Sequence, residues 1–387
     1  MPVGIRTVSD NNEKESYEMP YIAVRIFKFI SSFLHIMTLI SSSESVRPDI
    51  QLIHRRISTM KKIISFILAL SLLCVSALSL AEDGNNGQRG PGGGRGGMRG
   101  GQGRGTDKSG DAELQAMIAE TAPKFQLLTY EDTETGTSLQ YQLFIPENYD
   151  ETQSYPLIQF IPDASVVGRD ASSVLTQGWG GLVWATGEEQ AKHPAFVVVP
   201  VFTETVVDDS CNHSEQIDTA MRLLQFLADT YSIDTGRIYT TGQSMGGMTS
   251  FYLSIAYPDF FAAYLFVGSQ WDASLLSGLE DKPFFYIVSA GDVKASAGQA
   301  DLLALFEADH AAYSHAEWGA QDDATAQDAN VTAMLREGSK ANFVTFTAGT
   351  TLDEGSASNS RMGEHMTSFD YAYKIEAVRD WLFEQNK

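Results

Sequence analysis

Residues 237–247 read Arg237-Ile238-Tyr239-Thr240-Thr241-Gly242-Gln243-Ser244-Met245-Gly246-Gly247, a β-favouring run that passes through Gly-x-Ser-x-Gly into a helical pattern over 245–257. Strand, tight turn, helix is the setting in which a serine is presented as a nucleophile. Such a turn forces the serine into a strained backbone conformation, and residues without side chains are needed where strand and helix approach closely. Gly242 and Gly246 stand at those places. A helix beginning at Met245 aims its first amides and its positive dipole end at the Ser244 hydroxyl, so the Met245 amide is one expected oxyanion donor. Gln243, beside the serine, is a candidate substrate contact.

On either side, apolar runs alternate with helical patterns. Strands are expected at 138–145, 157–161, 196–201, 237–241, 262–267, 284–289 and 343–347. Several are continuously apolar, as strands covered on both faces of a parallel sheet must be. Helices are expected at 214–231, 245–257, 299–308 and 369–385. In the first, Ile217, Met221, Leu224 and Leu227 recur at three- and four-residue intervals and make one apolar face. The fold class is therefore α/β, a mostly parallel central sheet with helices on both faces, in a single domain over 111–387.

A serine hydroxyl is a weak nucleophile until a base takes its proton, and in this architecture the histidine follows in chain order. His365, in Arg361-Met362-Gly363-Glu364-His365-Met366, lies after the final strand and just before the closing helix, whereas His193, His213, His310 and His315 come earlier. A carboxylate must then orient the imidazole. The strand at 284–289 ends in Ala290-Gly291-Asp292, which offers Asp292; Asp322 and Asp323 are its rivals. A second oxyanion donor is expected from Ile161-Pro162-Asp163-Ala164-Ser165, with the amide of Ala164 as the candidate. Asp163 would be unhelpful beside a developing negative charge and is expected to point away. Trp179, Phe202, Trp271 and Trp318 fall in loops near the carboxyl ends of strands, where this architecture binds ligands. They are candidate pocket walls, with core packing as the competing role.

These residues resemble the secreted esterase branch of the α/β hydrolases, the polyhydroxybutyrate-depolymerase-like and feruloyl-esterase-like proteins, related to the catalytic domains of prolyl oligopeptidases. The resemblance covers roughly residues 127–385. It is carried by Tyr141-Gln142-Leu143-Phe144-Ile145-Pro146 with Tyr149, by Tyr155-Pro156-Leu157, by Asp234-Thr235-Gly236-Arg237-Ile238-Tyr239 leading into the glycine–serine turn, and by Tyr257-Pro258-Asp259 before Phe260-Phe261-Ala262-Ala263. It implies the α/β-hydrolase fold and a serine hydrolase that attacks an ester or amide carbonyl, forms an acyl-enzyme and releases the acid with water. The chain departs from the relatives' His-Gly pattern at Pro162-Asp163. A peptidase and a catalytically silent binding protein are the alternatives; no propeller-sized segment lies between Ala81 and Leu127, which favours the esterase.

Charge and the N-terminal region bound the partners and location. The 387 residues carry a formal net charge of −22. Residues 1–110 hold 14 Lys plus Arg against 9 Asp plus Glu, and 111–387 hold 13 against 40. A body that acidic repels phosphate backbones, so nucleic acid is not an expected partner. From Met60 the chain reads MKKIISFILALSLLCVSALSLAED, with two lysines, an apolar run and small residues before Glu82, the layout of a signal peptide over 60–81. A secreted or periplasmic product with no stable membrane insertion is expected, and 1–59 is read as a mis-assigned start or an extension. Residues 82–110 form a Gly/Arg-rich linker too polar to pack. Cys211 would be the single cysteine of the mature chain. No cofactor or metal is expected: His310 and His315, five apart, would not share a helical face. The expected partner is a small-molecule or oligomeric ester.

Overall fold

The computed structural model describes residues 108–352 and 363–387. The expectations for 1–59 and 60–81, and most of that for 82–110, lie outside the described residues. In chain order the elements are α1 (Ala112–Thr121), β1 (Gln126–Asp132), β2 (Thr137–Phe144), β3 (Tyr155–Ile161), α2 (Ser173–Thr176), α3 (Gly187–Lys192), β4 (Phe196–Val201), α4 (Gln216–Thr230), β5 (Ile233–Gln243), α5 (Met245–Ala256), β6 (Ala263–Val267), β7 (Phe284–Ser289), α6 (Val293–Asp309), β8 (Tyr313–Trp318), α7 (Ala324–Leu335), β9 (Ala341–Phe346), α8 (Gly363–Lys374) and α9 (Glu376–Glu384).

The strands form one sheet in the order β1-β2-β4-β3-β5-β6-β7-β9-β8. β1, β2 and β4 pair antiparallel, and every later pairing is parallel. Alternate residues of each central strand feed two cores, one per face: Val197, Val199 and Val201 of β4 enter the first, Phe196 and Val198 the second. The first core is closed by α1, α7, α8 and α9 through Met117, Val331, Phe369 and Leu382, and the second by α4, α5 and α6 through Leu224, Phe251 and Leu302. Phe251 is fully buried and stacks on Phe266 at 3.9 Å; truncating such a side chain to alanine costs about 3–5 kcal/mol. That contact fixes α5 against the sheet and so holds the turn that precedes it.

β3 is flanked by β4 and β5, and the chain leaves β3 toward one edge and proceeds from β5 toward the other. Connections that diverge from neighbouring strands open a crevice beyond their carboxyl ends, and the loop after β3 and the turn after β5 meet there.

Three features differ from the sequence reading. β1 and β8 were not expected, because they are edge strands with alternating exposed residues rather than apolar runs. α1, α2, α3 and α7 were not expected either; α2 and α3 are a turn or so long, and α7 buries only Gln327, Val331 and Met334, too little to write a clear stripe. The closing helix expected at 369–385 is two helices, broken at Ile375, whose backbone is extended (φ −70°, ψ 101°) and whose side chain is buried. Arg379 Nη1 donates to the Tyr373 carbonyl at 2.6 Å and satisfies an acceptor that the break sets free.

Candidate active site

Ser244 sits between β5 and α5 with φ 51° and ψ −118°, a left-handed-side conformation that costs a non-glycine residue about 1–3 kcal/mol. Its backbone is held from both sides: the Ser244 amide donates to Val267 O at 3.0 Å, and its carbonyl accepts from Met248 N at 2.9 Å. The strain is therefore imposed by the sheet and the helix together. A Cβ at Gly242 would collide with the Gly246 backbone, and one at Gly246 would collide with the carbonyl of Ile161 and lie 3.0 Å from that of Pro162. The two glycines thus admit the tight turn and also bring the loop after β3 against the first turn of α5.

His365 is the third residue of α8 rather than a residue ahead of it. Its Nδ1–H donates to Asp292 Oδ2 at 2.5 Å, which leaves Nε2 to accept from the Ser244 hydroxyl at 2.9 Å. The imidazole meets the Phe369 ring edge-on, 4.9 Å between centroids, which restricts its tilt. Asp292 is buried, and its other oxygen, Oδ1, accepts from the Ala295 amide at 3.3 Å and caps α6. One carboxylate thus starts a helix and orients the imidazole. The rivals are engaged elsewhere: Asp322 accepts from the Gly319 amide and Asp323 caps α7 through Ala326.

Beneath the turn, Gln243 is 1% exposed and its Nε2 donates to Asp163 Oδ2 at 2.7 Å and lies 3.3 Å from Gln177 Oε1. The expected substrate contact by Gln243 is corrected accordingly: its side chain turns into the protein and braces the loop after β3. Asp163 spends its remaining oxygen on the Ser165 amide at 2.7 Å, so one of its oxygens is engaged by β5 and the other by its own loop. Ala164, between these two residues, begins a short 3₁₀ turn that Asp163 caps.

Glu364, to which the sequence reading gave no role, accepts from Ser289 Oγ at 2.7 Å and from the Gly349 amide at 2.8 Å. It fastens the residue next to His365 to the end of β7, the strand that leads to Asp292. Its adjacency to the histidine was the available sequence signal. Tyr286, on β7, is fully buried; burial first, and the nearby Asp292 charge second, push its hydroxyl well above the ordinary tyrosine range. It stays a neutral donor to the Ser269 carbonyl.

The aromatic candidates separate. Trp271 lines a cavity of about 440 Å³ with Asp208, Asp209, Cys211, Met248 and Gln270; Met248 is one turn along α5 from Ser244. The Trp271 Nε1–H has no protein acceptor. Phe202 and Trp318 are 2% and 5% exposed and pack in the second and first cores. Trp179 lines another cavity, of about 220 Å³, with Met117 and Arg379, and no member of the Ser244–His365–Asp292 set borders either cavity. Among the described residues, no helix is long and apolar enough to cross a membrane.

A family model for esterases matches residues 133–371. No curated protein matches the sequence. Among solved structures, a thermostable esterase is similar at 24% identity and TM-score 0.55, over 69% of this chain and 64% of its own, so this chain spans just under two thirds of that relative's length. A feruloyl esterase module from Clostridium thermocellum (12% identity, TM-score 0.43, 66% of this chain and 86% of that one) is also similar. So is a ferulic acid esterase from the anaerobic fungus Anaeromyces mucronatus (12%, 0.41, 66% and 91%). At its identity the likeness to the thermostable esterase is one of fold, an α/β-hydrolase fold.

Proposed function

The chain belongs to the esterase family, and on that premise we propose that it is a secreted serine carboxylesterase that cleaves small or oligomeric esters through an acyl-enzyme on Ser244. The observation that carries the reading is the continuous pair of hydrogen bonds from Ser244 Oγ to His365 Nε2 and from His365 Nδ1 to Asp292 Oδ2.

In the first half-reaction the Ser244 hydroxyl gives its proton to His365 Nε2 as Oγ bonds to the ester carbonyl carbon. The imidazolium formed is stabilised by the Asp292 carboxylate. The carbonyl oxygen becomes an oxyanion, which the Met245 amide meets at the positive end of α5 and the Ala164 amide meets from the loop after β3. Because the Ser244 amide is already spent on Val267, it is not among the donors. His365 Nε2–H then protonates the departing alkoxide as the C–O bond breaks. In the second half-reaction the same nitrogen takes a proton from water, hydroxide attacks the acyl carbon, and the acid leaves with Ser244 restored.

The Trp271 cavity is the proposed seat of one side of the ester, because Met248, one turn along α5 from Ser244, borders it. The signal-peptide layout of residues 60–81 supports export.

The test is turnover of a p-nitrophenyl ester series and of a peptide p-nitroanilide by the wild type and Ser244→Ala, with fluorophosphonate labelling alongside. Short esters should be cleaved, the variant should be inactive and unlabelled, and the anilide should be spared. Cleavage of the anilide alone would make the protein a peptidase. An inactive, unlabelled wild type that is folded would remove the catalytic reading altogether.

A further inference from the structure

A second constellation of chemistry-bearing residues lies outside the Ser244–His365–Asp292 set. Glu189 on α3 and His193 at its C-cap are one helical turn apart, the His193 amide donating to the Glu189 carbonyl at 2.8 Å. That spacing puts both side chains on one face. α9 brings Asp380 to the same point. One donor atom from each of the three residues lies within 4.8 Å of the other two. His193 Nε2 and Asp380 Oδ1 are 2.8 Å apart, and the imidazole is fixed by stacking on Phe383 at 4.5 Å between ring centroids and 13° between planes.

Glu189 is the informative member. Its residue is 2% exposed, and Arg379 Nε donates to Oε2 at 2.8 Å. Oε1 is buried and has no hydrogen-bond partner in the protein. A buried carboxylate oxygen without a donor costs free energy unless something positive meets it. Lys192, the nearest cation of α3, is turned to Glu376 and Glu188.

We propose that Glu189, His193 and Asp380 form a zinc site that ties α9 to α3. The donor set of one imidazole nitrogen and two carboxylate oxygens is of the kind zinc takes, at about 2.0–2.2 Å each with a fourth place for water. Tetrahedral ligands at that radius stand about 3.4 Å apart, so the three donors reach the geometry by side-chain shifts of about an ångström. Calcium, which takes six to eight oxygens, is not served by three donors including an imidazole. Arg379 holds the second Glu189 oxygen and so fixes the carboxylate's orientation, as outer partners of metal ligands do.

The test is calorimetric titration of zinc chloride into chelator-treated full-length protein, followed by Co²⁺ substitution. The wild type should bind one equivalent that raises the thermal midpoint and gives the visible absorption of a tetrahedral cobalt site. His193→Ala should lose that equivalent, and Asp380→Asn should weaken it at least tenfold with ester turnover unchanged. Asp380 is half exposed, so this variant stays informative if His193→Ala fails to fold. A wild type without the equivalent, or an equivalent that persists undiminished in Asp380→Asn, overturns the proposal.

Discussion

Asp292→Asn separates the two duties of one side chain. Oδ1 of Asp292 accepts from the Ala295 amide, and Oδ2 accepts from His365 Nδ1. An asparagine keeps its oxygen on the Ala295 amide, since asparagine caps a helix about as well as aspartate. Its NH₂ group then occupies the place of Oδ2 and donates to His365 Nδ1. The proton of the imidazole is driven to Nε2, where it faces the Ser244 hydroxyl, and the base can no longer accept. Flipping the amide restores the tautomer but sets two donors against each other at Ala295, at a cost of about 1–3 kcal/mol. The carboxylate charge beside the developing imidazolium is lost as well. Together these should lower kcat by about 10³- to 10⁴-fold, about 4–5.5 kcal/mol of barrier. KM should change little, and the thermal midpoint should stay within about 1 °C. Asp292→Ala should lose the cap too, and melt about 2–4 °C lower for about 1 kcal/mol. Steady-state hydrolysis of a p-nitrophenyl ester together with calorimetric melting checks both. A folded Asp292→Asn that keeps more than a tenth of wild-type kcat refutes the reasoning.

Other perturbations address the supports of the site. Gly246→Ala puts a methyl group against the backbone carbonyls of Ile161 and Pro162, which cannot rotate away; urea midpoints should show a loss of about 1–3 kcal/mol, and ester turnover should fall at least about 100-fold as the loop and the turn separate. Glu364→Ala frees Ser289 Oγ and the Gly349 amide, and kcat should drop about tenfold through displacement of His365, whereas Glu364→Gln should recover part of it. Hydrogen bonds from the Arg222 guanidinium hold the Asp132 carboxyl well below the usual carboxylate range, against the opposing effect of its desolvation. That stabilisation is fully present above an unfolded carboxyl's value of about 3.9 and is lost as pH falls below it. Urea midpoints taken between about pH 4 and pH 2 should therefore fall steeply for the wild type and less steeply for Asp132→Asn.

Much of the fold could be read locally. The seven strands expected from apolar runs correspond to β2, β3, β4, β5, β6, β7 and β9, because a strand covered on both faces writes its burial into consecutive residues. β1 and β8 wrote no such run because each has one neighbour. The break at Ile375 was equally illegible: 369–385 carries a helical pattern throughout, and only the folded chain brings Arg379 to the Tyr373 carbonyl that the break frees. Gln243 was misread because a polar residue beside a nucleophile suggests a ligand contact, and only the approach of Asp163, 80 residues earlier in the chain, gives its amide a buried acceptor.

By itself the sequence determined the turn at Ser244, for a physical reason confined to a few residues: the alternation of strand, glycine, serine, glycine and helix leaves the backbone one way through, and the same residues set the hydroxyl at the mouth of the helix. It determined that His365, following the last strand, was the histidine to consider. For the carboxylate it favoured Asp292, at the end of an apolar strand, over Asp322 and Asp323, without bringing any of them to the imidazole. Tertiary structure decided that, because the two hydrogen bonds of the set span 121 and 73 residues and exist only when β5, β7 and α8 are packed on a common sheet. The same packing decided that Glu189, His193 and Asp380 would gather at one point, which no local pattern specifies, since a helix records its own faces but not the side chain that another helix will bring to them.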